Sequence, residues 1–530
     1  MKRNILCFLI LSSLACLQVG CSYDKDVVVD NKTTDDSGDD SDDTGIDDDD
    51  VDDQNWSDTI SIVWNGASAS VSGTNDSIQI TNNGGYVSVN SSVKGTQIMY
   101  LLSGNGQGQL TIYGSYRHNI TLNGLTLTCS DGPAINNQCH KKCYLVINGT
   151  NTLIDGSSYA SSSEDRKAAF FSEGQIIASG AGALTVKGNY KHAIASDDYI
   201  HLTDGLTGTL NLTAASDGLH ANDGIYINGG NTTINAGNDG VQCDSIITVS
   251  GGSLDITATD KGIVDSLGIT ISGGTTTITS KYKCIKTQSN LTISGGTITA
   301  IATGTSSNSG GRPGESSSSD GTPEGIEAKG TITISGGRVF AQANDDAINS
   351  GGDMTISGGV VMAYSTGNDG LDANGNCYIT GGIVYAIGAS SPEVAIDANT
   401  EQQKQLYVQG GTIVAIGGLE SGASLSQTCY SASSVSKSTW YALYSGSDLA
   451  FVFKIPSSLS SSTFVVSTSG TASLKSGVTT SGGSSILNSY ALSSPTVSGG
   501  SSVTLSSYSG GNSGGGPGGG GNPGGRPGGY

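Results

Sequence analysis

Acidic residues recur at one position of a repeated sequence pattern, and carboxylates at that spacing could bind a metal ion. The position twelve residues before each of seven Gly-Gly pairs holds, in order, Asp217, Asp239, Lys261, Lys283, Glu324, Asp346 and Asp369. If successive repeats stack, Asp217 and Asp239 lie one strand spacing apart, about 4.8 Å. Two carboxylates at that distance repel each other unless a cation or a proton joins them.

Calcium suits such a strip, because it takes six to eight oxygen ligands at about 2.4 Å and tolerates irregular geometry. The sequence therefore predicts Ca²⁺ as a cofactor, with two clusters of ligands. The first cluster contains Asp217, Asp223, Asp239, Asp244 and Asp265. The second contains Asp345, Asp346, Asp369 and Asp372. The alternative is that Asp-Gly and Asn-Asp pairs form turns that simply face water.

Lys261, Lys283 and Lys286 interrupt the acidic strip. A lysine beside calcium-bound carboxylates could remove the proton α to a uronate carboxylate, as a polysaccharide lyase requires. We favour the alternative that these lysines replace calcium as counter-charges on repeats without a metal. His220 is adjacent, but a lone surface histidine is seldom a base.

A period of about 22 residues indicates the elements that position these side chains. Most Gly-Gly pairs follow one another at intervals of 22 or 23 residues, and a 41-residue interval contains an insertion near 305–322. The pairs occupy positions 229-230, 251-252, 273-274, 295-296, 336-337, 358-359, 381-382 and 410-411. Alternating β-branched columns before each pair indicate strands with one buried face. The pattern predicts an all-β fold, a single-stranded parallel β-helix over 55–424.

Two groups of side chains are expected on the outside of this helix. Tyr226, Tyr378 and Tyr407 project outward beside a column of threonines and could contact an extended glycan. An apolar stripe consists of Phe340, Met362, Tyr385 and Val414. Residues 425–508 lose the period but keep strand-like segments, so we predict a small β domain or cap that docks on this stripe. The other interpretation of the stripe is a platform for stacking sugars.

The two ends of the chain indicate export. Residues 1–20 read as a signal peptide, and Val19-Gly20-Cys21 resembles a lipobox, which would make Cys21 a lipidation site. Residues 21–54 contain 15 Asp and form a predicted disordered tether. The Gly/Pro-rich residues 509–530 are predicted to be a disordered tail. We expect an outer-membrane lipoprotein exposed at the cell surface, and the net charge of −22 argues against a nucleic-acid partner.

Seven cysteines remain after Cys7, Cys16 and Cys21 are set aside. In an exported protein, one disulfide among Cys129, Cys139 and Cys143 is possible.

Two segments resemble a known family. They are Ser216-Asp-Gly-Leu-His-Ala-Asn-Asp223 and Lys187-Gly-Asn-Tyr-Lys-His-Ala-Ile-Ala-Ser-Asp-Asp198. They resemble the bacterial carbohydrate-binding parallel β-helix family, which is related in fold to polysaccharide lyases. The resemblance implies a right-handed, calcium-bearing helix that binds polysaccharides such as cellulose or pectic chains, without established turnover. It also implies metal ligation at Asp197, Asp198 and Asp223.

The sequence thus predicts an exported, calcium-stabilised β-helix that binds polysaccharide. The alternatives are a calcium-dependent polysaccharide lyase with a lysine base and a structural adhesin. The oligomeric state stays open.

Overall fold

The computed structural model describes residues 56–305, 321–432, 434–459 and 461–510, all within the compact unit Gly45–Tyr530. The predictions for the signal peptide (1–20), Cys21, the tether (21–54), most of the 305–322 insertion and residues 511–530 lie outside the described residues. No helix in the described ranges is long and apolar enough to cross a membrane.

The described chain is nearly all strand and forms a parallel β-solenoid of about 12 turns from residue 86 to residue 387, followed by a C-terminal sheet region. The predicted β-helix is therefore confirmed. A regular turn contributes three short strands, for example Leu219–Ala221, Gly224–Ile227 and Asn231–Ala236. Stacked turns give the solenoid three sides, which we call face 1, face 2 and face 3 in this chain order.

Face 1 is a sheet of 13 strands. These strands are Ile78–Asn83, Tyr86–Ser91, Gln109–Tyr113, Ile135–Asn137, Ala168–Ser172, His192–Ser196, Leu219–Ala221, Val241–Cys243, Ile263–Asp265, Ile285–Thr287, Ile326–Ala328, Ile348–Ser350 and Leu371–Ala373.

Faces 2 and 3 are linked into one larger sheet through long strands near the N-terminus. The strands of face 2 are Cys143–Asn148, Ile176–Gly180, Tyr199–Leu206, Gly224–Ile227, Ile246–Val249, Gly268–Ile271, Leu291–Ile293, Ile332–Ile334, Met354–Ile356, Cys377–Ile379, Leu406–Val408 and Ser424–Leu425. The strands of face 3 are Thr150–Ile154, Ala183–Gly188, Thr209–Ala214, Asn231–Ala236, Ser253–Ala258, Thr275–Ser280, Thr297–Ala302, Arg338–Ala343, Val360–Ser365, Ile383–Ile387 and Thr412–Ile416. The long strands are Asp58–Gly66, Ile98–Gln107 and His118–Thr128. The short strand Ser68–Ser72 forms a hairpin with the first of them.

The register of the turns follows the sequence period. Ile225 pairs with Ile247, and Ile247 pairs with Ile269, so residues 22 apart are neighbours in space. These side chains point inward and are buried, which stabilises the fold by about 1.5–3 kcal/mol for each one. The Gly-Gly corners admit no side chain, because a Cβ on Gly251 would lie 2.2 Å from the carbonyl oxygen of Asn228. Gly252 has a φ of 67°, a conformation that favours glycine.

The C-terminal region consists of two groups of strands. Three extend the solenoid sheet: Cys429–Ala432, Phe464–Ser467 and Leu505–Tyr508. Six form a separate antiparallel sheet: Trp440–Ser445, Asp448–Lys454, Ala472–Ser481, Ser484–Ile486, Ala491–Ser493 and Thr496–Val503. Strand Phe464–Ser467 pairs antiparallel with Thr412–Ile416 and covers the last edge of face 3. A 3₁₀ turn spans Thr400–Gln402.

This region docks on the apolar stripe of face 3, as predicted. Phe340, Met362, Tyr385 and Val414 belong to one buried cluster with side chains of the C-terminal strands. The Tyr385 hydroxyl donates a hydrogen bond to the backbone oxygen of Lys454 at 3.1 Å. The stripe is therefore an intramolecular interface, and the interpretation as a sugar platform is wrong.

The seven described cysteines are all buried. The disulfide considered among Cys129, Cys139 and Cys143 is not formed. Five of the described cysteines belong to the main apolar core and act there as small apolar side chains: Cys143, Cys243, Cys284, Cys377 and Cys429.

Candidate functional site

The acidic column stacks in register along one edge of face 1. The amide of Gly218 donates to the backbone oxygen of Asp239 at 3.2 Å, and the amide of Gly240 donates to that of Lys261 at 3.0 Å. The ladder places Asp217 and Asp239 on adjacent turns, as the period predicts.

The carboxylates of this column also accept hydrogen bonds from the next turn, a structural role that sequence reasoning missed. The amide of Asp239 donates to Asp217 Oδ1 at 3.1 Å, and that of Lys261 donates to Asp239 Oδ1 at 2.9 Å. Near the other end, the amide of Asp369 donates to Asp346 Oδ1 at 3.0 Å. One carboxylate oxygen of each residue therefore ties two turns together and leaves the second oxygen for another partner.

Carboxylates converge near the C-terminal end of face 1. Asp369, Asp372 and Asp397 each place an oxygen within 4.8 Å of the others. Asp346 interacts with Asp372, and Asp397 shares a hydrogen bond with Glu420. We call these five residues the acidic site. Of the second predicted cluster, Asp346, Asp369 and Asp372 belong to it, and Asp345 lies close enough for its charge to act on Asp346.

The electrostatics of the acidic site favour a cation. Burial and the neighbouring carboxylates raise the pKa of Asp369 to about 7. Burial and Glu420 raise the pKa of Asp397 to about 9. Burial and the charge of Asp372 also raise the pKa of Asp346. These carboxylates are costly to ionise together, and an oxygen-seeking cation would remove that cost.

Asp397 and Glu420 lie outside the predicted ligand clusters, because the chain departs from the 22-residue period after residue 382. A signal for Asp397 nevertheless exists. It follows Ile396, which bridges to Leu371 on the previous turn, just as Asp372 follows Leu371. The pattern of an inward apolar residue followed by Asp would have identified it.

The first predicted cluster does not converge as a unit. Asp217 lies between two histidines, whereas Asp223, Asp244 and Asp265 surround the thiol of Cys243. Burial and the charges of these three carboxylates raise the pKa of Cys243 to about 12. Asp239 lies between Asp217 and Lys261 in the stacked column.

Asp265 points into the solenoid and is 1% exposed. Its Oδ2 accepts a hydrogen bond from the amide of Gly268 at 2.9 Å, and its Oδ1 has no hydrogen-bond partner. Burial raises the pKa of this carboxyl to about 6. By contrast, Asp244 is exposed and accepts a hydrogen bond from Gln242 Nε2 at 2.8 Å.

Asp197 and Asp198 have protein donors around them. Asp197 forms an ion pair with Lys167. Asp198 accepts hydrogen bonds from Gln175 Nε2 at 2.6 Å and from the amide of Tyr199 at 2.9 Å. These contacts join neighbouring turns and use the oxygens that the resemblance would assign to a metal.

Two lysines of the strip are held in ion pairs. Lys283 is completely buried, and its Nζ lies 3.0 Å from Glu324 Oε1 and 3.3 Å from Glu327 Oε2. Lys261 Nζ lies 2.6 Å from Oδ2 of Asp260, its neighbour in sequence, and Lys286 is 3% exposed. Lys283 is therefore a counter-charge between turns, and Lys261 is a counter-charge within its own turn.

The outward residues of face 2 form a column that runs from Tyr226 to Tyr407. Between Tyr226 and Tyr378 lie five threonines in register, which we call the threonine ladder: Thr248, Thr270, Thr292, Thr333 and Thr355. Thr270 and Thr292 are exposed. The column presents small polar side chains bounded by aromatic rings.

The tyrosines at the two ends are held differently. The rings of Tyr378 and Tyr407 stack with centroids 4.9 Å apart and planes 9° apart, so they cover each other's inner faces. Tyr226 meets the edge of Tyr199 at 5.8 Å, and its ring lies over Gly224, where a Cβ would stand 2.8 Å from Cε2. Sequence reasoning placed all three correctly on the outer side of face 2 but did not predict the stacked pair.

Comparisons with known proteins bear on this surface. No curated protein matches the chain. A solved structure, described as the polysaccharide lyase-like protein from C. thermocellum in a gadolinium derivative, is similar at 20% identity with a TM-score of 0.38. That similarity covers 52% of this chain and 96% of the other.

A family described as carbohydrate-binding domain-containing protein matches residues 83–268 and 265–370. The two matches overlap and together span more than half of the chain, from residue 83 to residue 370. The chain therefore belongs to the family of carbohydrate-binding domain-containing proteins.

Proposed function

We propose that this protein binds an extended polysaccharide, cellulose-like or pectin-like, along the threonine ladder without cleaving it. The observation that carries the proposal is the arrangement on face 2, where Tyr226 and the Tyr378–Tyr407 pair bound a column of threonine hydroxyls. Membership of a carbohydrate-binding family supports a glycan as the ligand.

The dimensions of the column suit a chain of sugar rings. Tyr226 and Tyr378 are six strand spacings apart, which is roughly 29 Å along the solenoid. Threonine hydroxyls can both donate to and accept from sugar hydroxyls. Because the paired tyrosines cover each other's inner faces, a sugar would pack on the outer face of Tyr378, beside Thr355, or on that of Tyr407, beside Ser424. Both neighbours are small enough to leave room.

We also propose that the acidic site binds Ca²⁺ and stabilises the last turns of the solenoid. Its donors are all carboxylate oxygens, which are the ligands that calcium prefers. The convergence of carboxylate oxygens from Asp369, Asp372 and Asp397 within 4.8 Å of one another supports a cation at this site. In this proposal calcium has a structural role and does not take part in a reaction.

Binding without turnover is supported by the lysines. A lyase base must reach the proton of its substrate. Lys283 is completely buried between two glutamates, and Lys261 is paired with Asp260. These contacts favour structural roles over the lyase alternative.

The site of action in this proposal is the cell surface. The lipobox-like Val19-Gly20-Cys21 would anchor the chain in the outer membrane, and the Asp-rich residues 21–54 would hold the solenoid away from it.

The test measures binding of the full chain to insoluble cellulose by pull-down and to soluble polygalacturonate by affinity electrophoresis. Tyr378→Ala and Tyr407→Ala should each weaken binding by about 2- to 10-fold, the value of one aromatic contact. Tyr190→Ala is the matched control, because Tyr190 is 46% exposed and stacks on Tyr159 away from face 2.

Two outcomes would contradict the proposal. A double Tyr378→Ala, Tyr407→Ala variant that binds as tightly as the Tyr190→Ala control would exclude face 2 as the site. Ultraviolet absorbance from unsaturated uronates on incubation with polygalacturonate would show cleavage, and the binding-only function would be wrong.

A further inference from the structure

The carboxylate of Asp217 faces two imidazole rings near the N-terminal end of the regular turns on face 1. Its Oδ2 is 3.1 Å from His192 Nδ1 and 3.2 Å from His220 Nδ1. The two rings are stacked, with centroids 4.1 Å apart and planes 22° apart, so both Nδ1 atoms converge on one carboxylate oxygen. The three donor atoms lie within 4.8 Å of one another.

The local sequence explains why the three side chains meet. His192 stands two residues before the inward Ile194, just as Asp217 stands two before the inward Leu219, and these two apolar residues pair across the turns. His192 and Asp217 are therefore successive members of the acidic column. His220 follows Leu219 and points outward beside them.

The two oxygens of Asp217 have separate partners. Oδ1 accepts hydrogen bonds from Asn238 Nδ2 at 2.9 Å, the amide of Asp239 at 3.1 Å and Ser216 Oγ at 3.1 Å. These donors fix the carboxylate and leave Oδ2 directed at the imidazoles. Carboxylates and imidazoles that bind metals are commonly oriented by outer hydrogen bonds of this kind.

His192 provides a second, independent observation. It is 1% exposed, yet neither of its ring nitrogens has a hydrogen-bond partner, because the approach of Nδ1 to Asp217 lacks hydrogen-bond geometry. A buried polar nitrogen without a hydrogen bond is costly. A cation between Nδ1 and Oδ2 would satisfy both atoms.

The donor set and its spacing select the class of cation. Zinc binds nitrogen and oxygen ligands at about 2.0–2.2 Å, so ligand atoms of a tetrahedral site lie about 3.3–3.5 Å apart. The two nitrogen–oxygen distances are close to that value. Calcium prefers oxygen ligands, and two imidazoles suit zinc and neighbouring transition metals instead.

We propose that His192, Asp217 and His220 form a binding site for a divalent transition metal of the zinc class, distinct from the calcium proposed at the acidic site. Asp217 and His192 supply two ligands, and His220 supplies the third after its ring turns out of the stack, because a metal must lie in the plane of each imidazole that binds it. A water molecule completes the coordination on the side of His220, which is 15% exposed. The metal ties two turns together at this point of face 1. The proposal does not depend on polysaccharide binding.

The test uses Co²⁺ as a spectroscopic substitute for zinc in the full chain, after treatment with a chelator and in excess Ca²⁺ to occupy oxygen-only sites. One equivalent of Co²⁺ should produce the intense visible bands of a tetrahedral site, and Zn²⁺ should displace it. His192→Gln and His220→Gln should each weaken Co²⁺ affinity by about 100-fold or more, and Asn238→Ala by about 10-fold. His140→Gln, which changes a histidine that is 77% exposed, should bind like the wild type.

Circular dichroism of each metal-free variant shows whether it is folded. Because His220 is partly exposed, His220→Gln keeps the test decisive if His192→Gln fails to fold. The proposal is overturned if the wild type binds Co²⁺ no more tightly than His220→Gln, or if Ca²⁺ displaces Co²⁺ as readily as Zn²⁺ does.

Discussion

Lys283 Nζ lies 3.0 Å from Glu324 Oε1 on the adjacent turn of the solenoid, and the lysine has no exposed surface. The same ammonium lies 3.3 Å from Glu327 Oε2 and donates to Thr322 Oγ1 at 2.9 Å. A charge so enclosed links turns and cannot reach a polymer outside. The ion pair between Lys283 and Glu324 therefore favours a structural role for this lysine over a catalytic one.

Replacing Lys283 by Met should lower the free energy of unfolding by about 3–5 kcal/mol, because two buried glutamates lose their counter-charge. Polysaccharide binding per folded molecule should not change. Urea unfolding and pull-down on the same preparations measure both quantities. Lys261→Met, at a partly exposed pair with Asp260, should cost no more than about 1 kcal/mol. A stable Lys283→Met variant that loses binding would contradict the structural role.

Asp265→Asn should stabilise the protein above pH 6 and have little effect near pH 4. The folded-state pKa of Asp265, about 6, exceeds the value of about 3.9 in an unfolded chain. Its contribution to stability is therefore fully present below about pH 4 and is lost as the pH rises through about 6. The asparagine avoids that loss, which is about 2–3 kcal/mol.

Urea unfolding at pH 4 and pH 8 measures the effect, and Asp244→Asn, an exposed carboxylate nearby, is the control. The same variant tests the sequence-based assignment of Asp265 to a calcium cluster. If Asp265 were a ligand, Asp265→Asn would instead destabilise the protein in the presence of calcium.

Removal of calcium should lower the melting temperature, since carboxylates at the acidic site would face one another without a cation. At a free Ca²⁺ concentration of about 100 times Kd, the ion would add about 2.7 kcal/mol to stability. Differential scanning calorimetry with EGTA and with added Ca²⁺ measures the shift. Asp397→Asn should abolish most of it, whereas Asp204→Asn, exposed on another part of the surface, should leave it intact. If added calcium and EGTA both leave the melting temperature unchanged, the acidic site does not bind calcium.

Tyr385→Ala should destabilise the docked C-terminal sheet by about 3–5 kcal/mol, because a fully buried ring leaves a cavity beside Phe453. Tyr385→Phe removes only the hydrogen bond to Lys454 and should cost about 1 kcal/mol. Thermal unfolding and limited proteolysis of the C-terminal region report the two effects. Equal stability of the alanine and phenylalanine variants would argue against the interface.

Gly224→Ala should displace Tyr226 while the solenoid stays folded. A Cβ at this position would stand 2.8 Å from Cε2 and 3.0 Å from the hydroxyl of Tyr226, and the partly exposed ring can move away. If Tyr226 contacts the polysaccharide, the substitution should weaken binding about as much as Tyr226→Ala. Gly205→Ala is the control, because its Cβ would keep 3.4 Å from Thr203 Oγ1. Unchanged binding by Gly224→Ala and Tyr226→Ala would remove Tyr226 from the proposed surface.

Much of the architecture could be predicted, because a period of 22 residues places residues 22 apart next to each other on adjacent turns of the solenoid. Ile225, Ile247 and Ile269 pair as the alignment predicts, and the stripe of Phe340 and Tyr385 is covered by the segment that also needed an apolar partner. Hydrophobic alternation decides which side chains point inward, and that information is local.

The convergence of side chains was less predictable. Asp265 occupies an inward strand position, although its residue type suggested a solvent-facing ligand. His192 precedes the regular repeats by an interval of 25 residues, so its place in the acidic column was not recognised. Asp217 and His192 each stand two residues before an inward apolar residue. That shared spacing would have indicated the place of His192 in the column.

The sequence by itself determined the repeat, the buried columns and the outward positions of the tyrosines, because each depends on strand alternation and on a fixed number of residues for each turn. Only the tertiary structure decided which polar groups meet: Asp217 with two histidines, Lys283 with two glutamates and Asp397 with Glu420. These contacts depend on side-chain rotamers and on the corners of the solenoid where the number of residues in a turn departs from 22. A difference of a few ångströms there separates an ion pair, a metal site and a solvated turn.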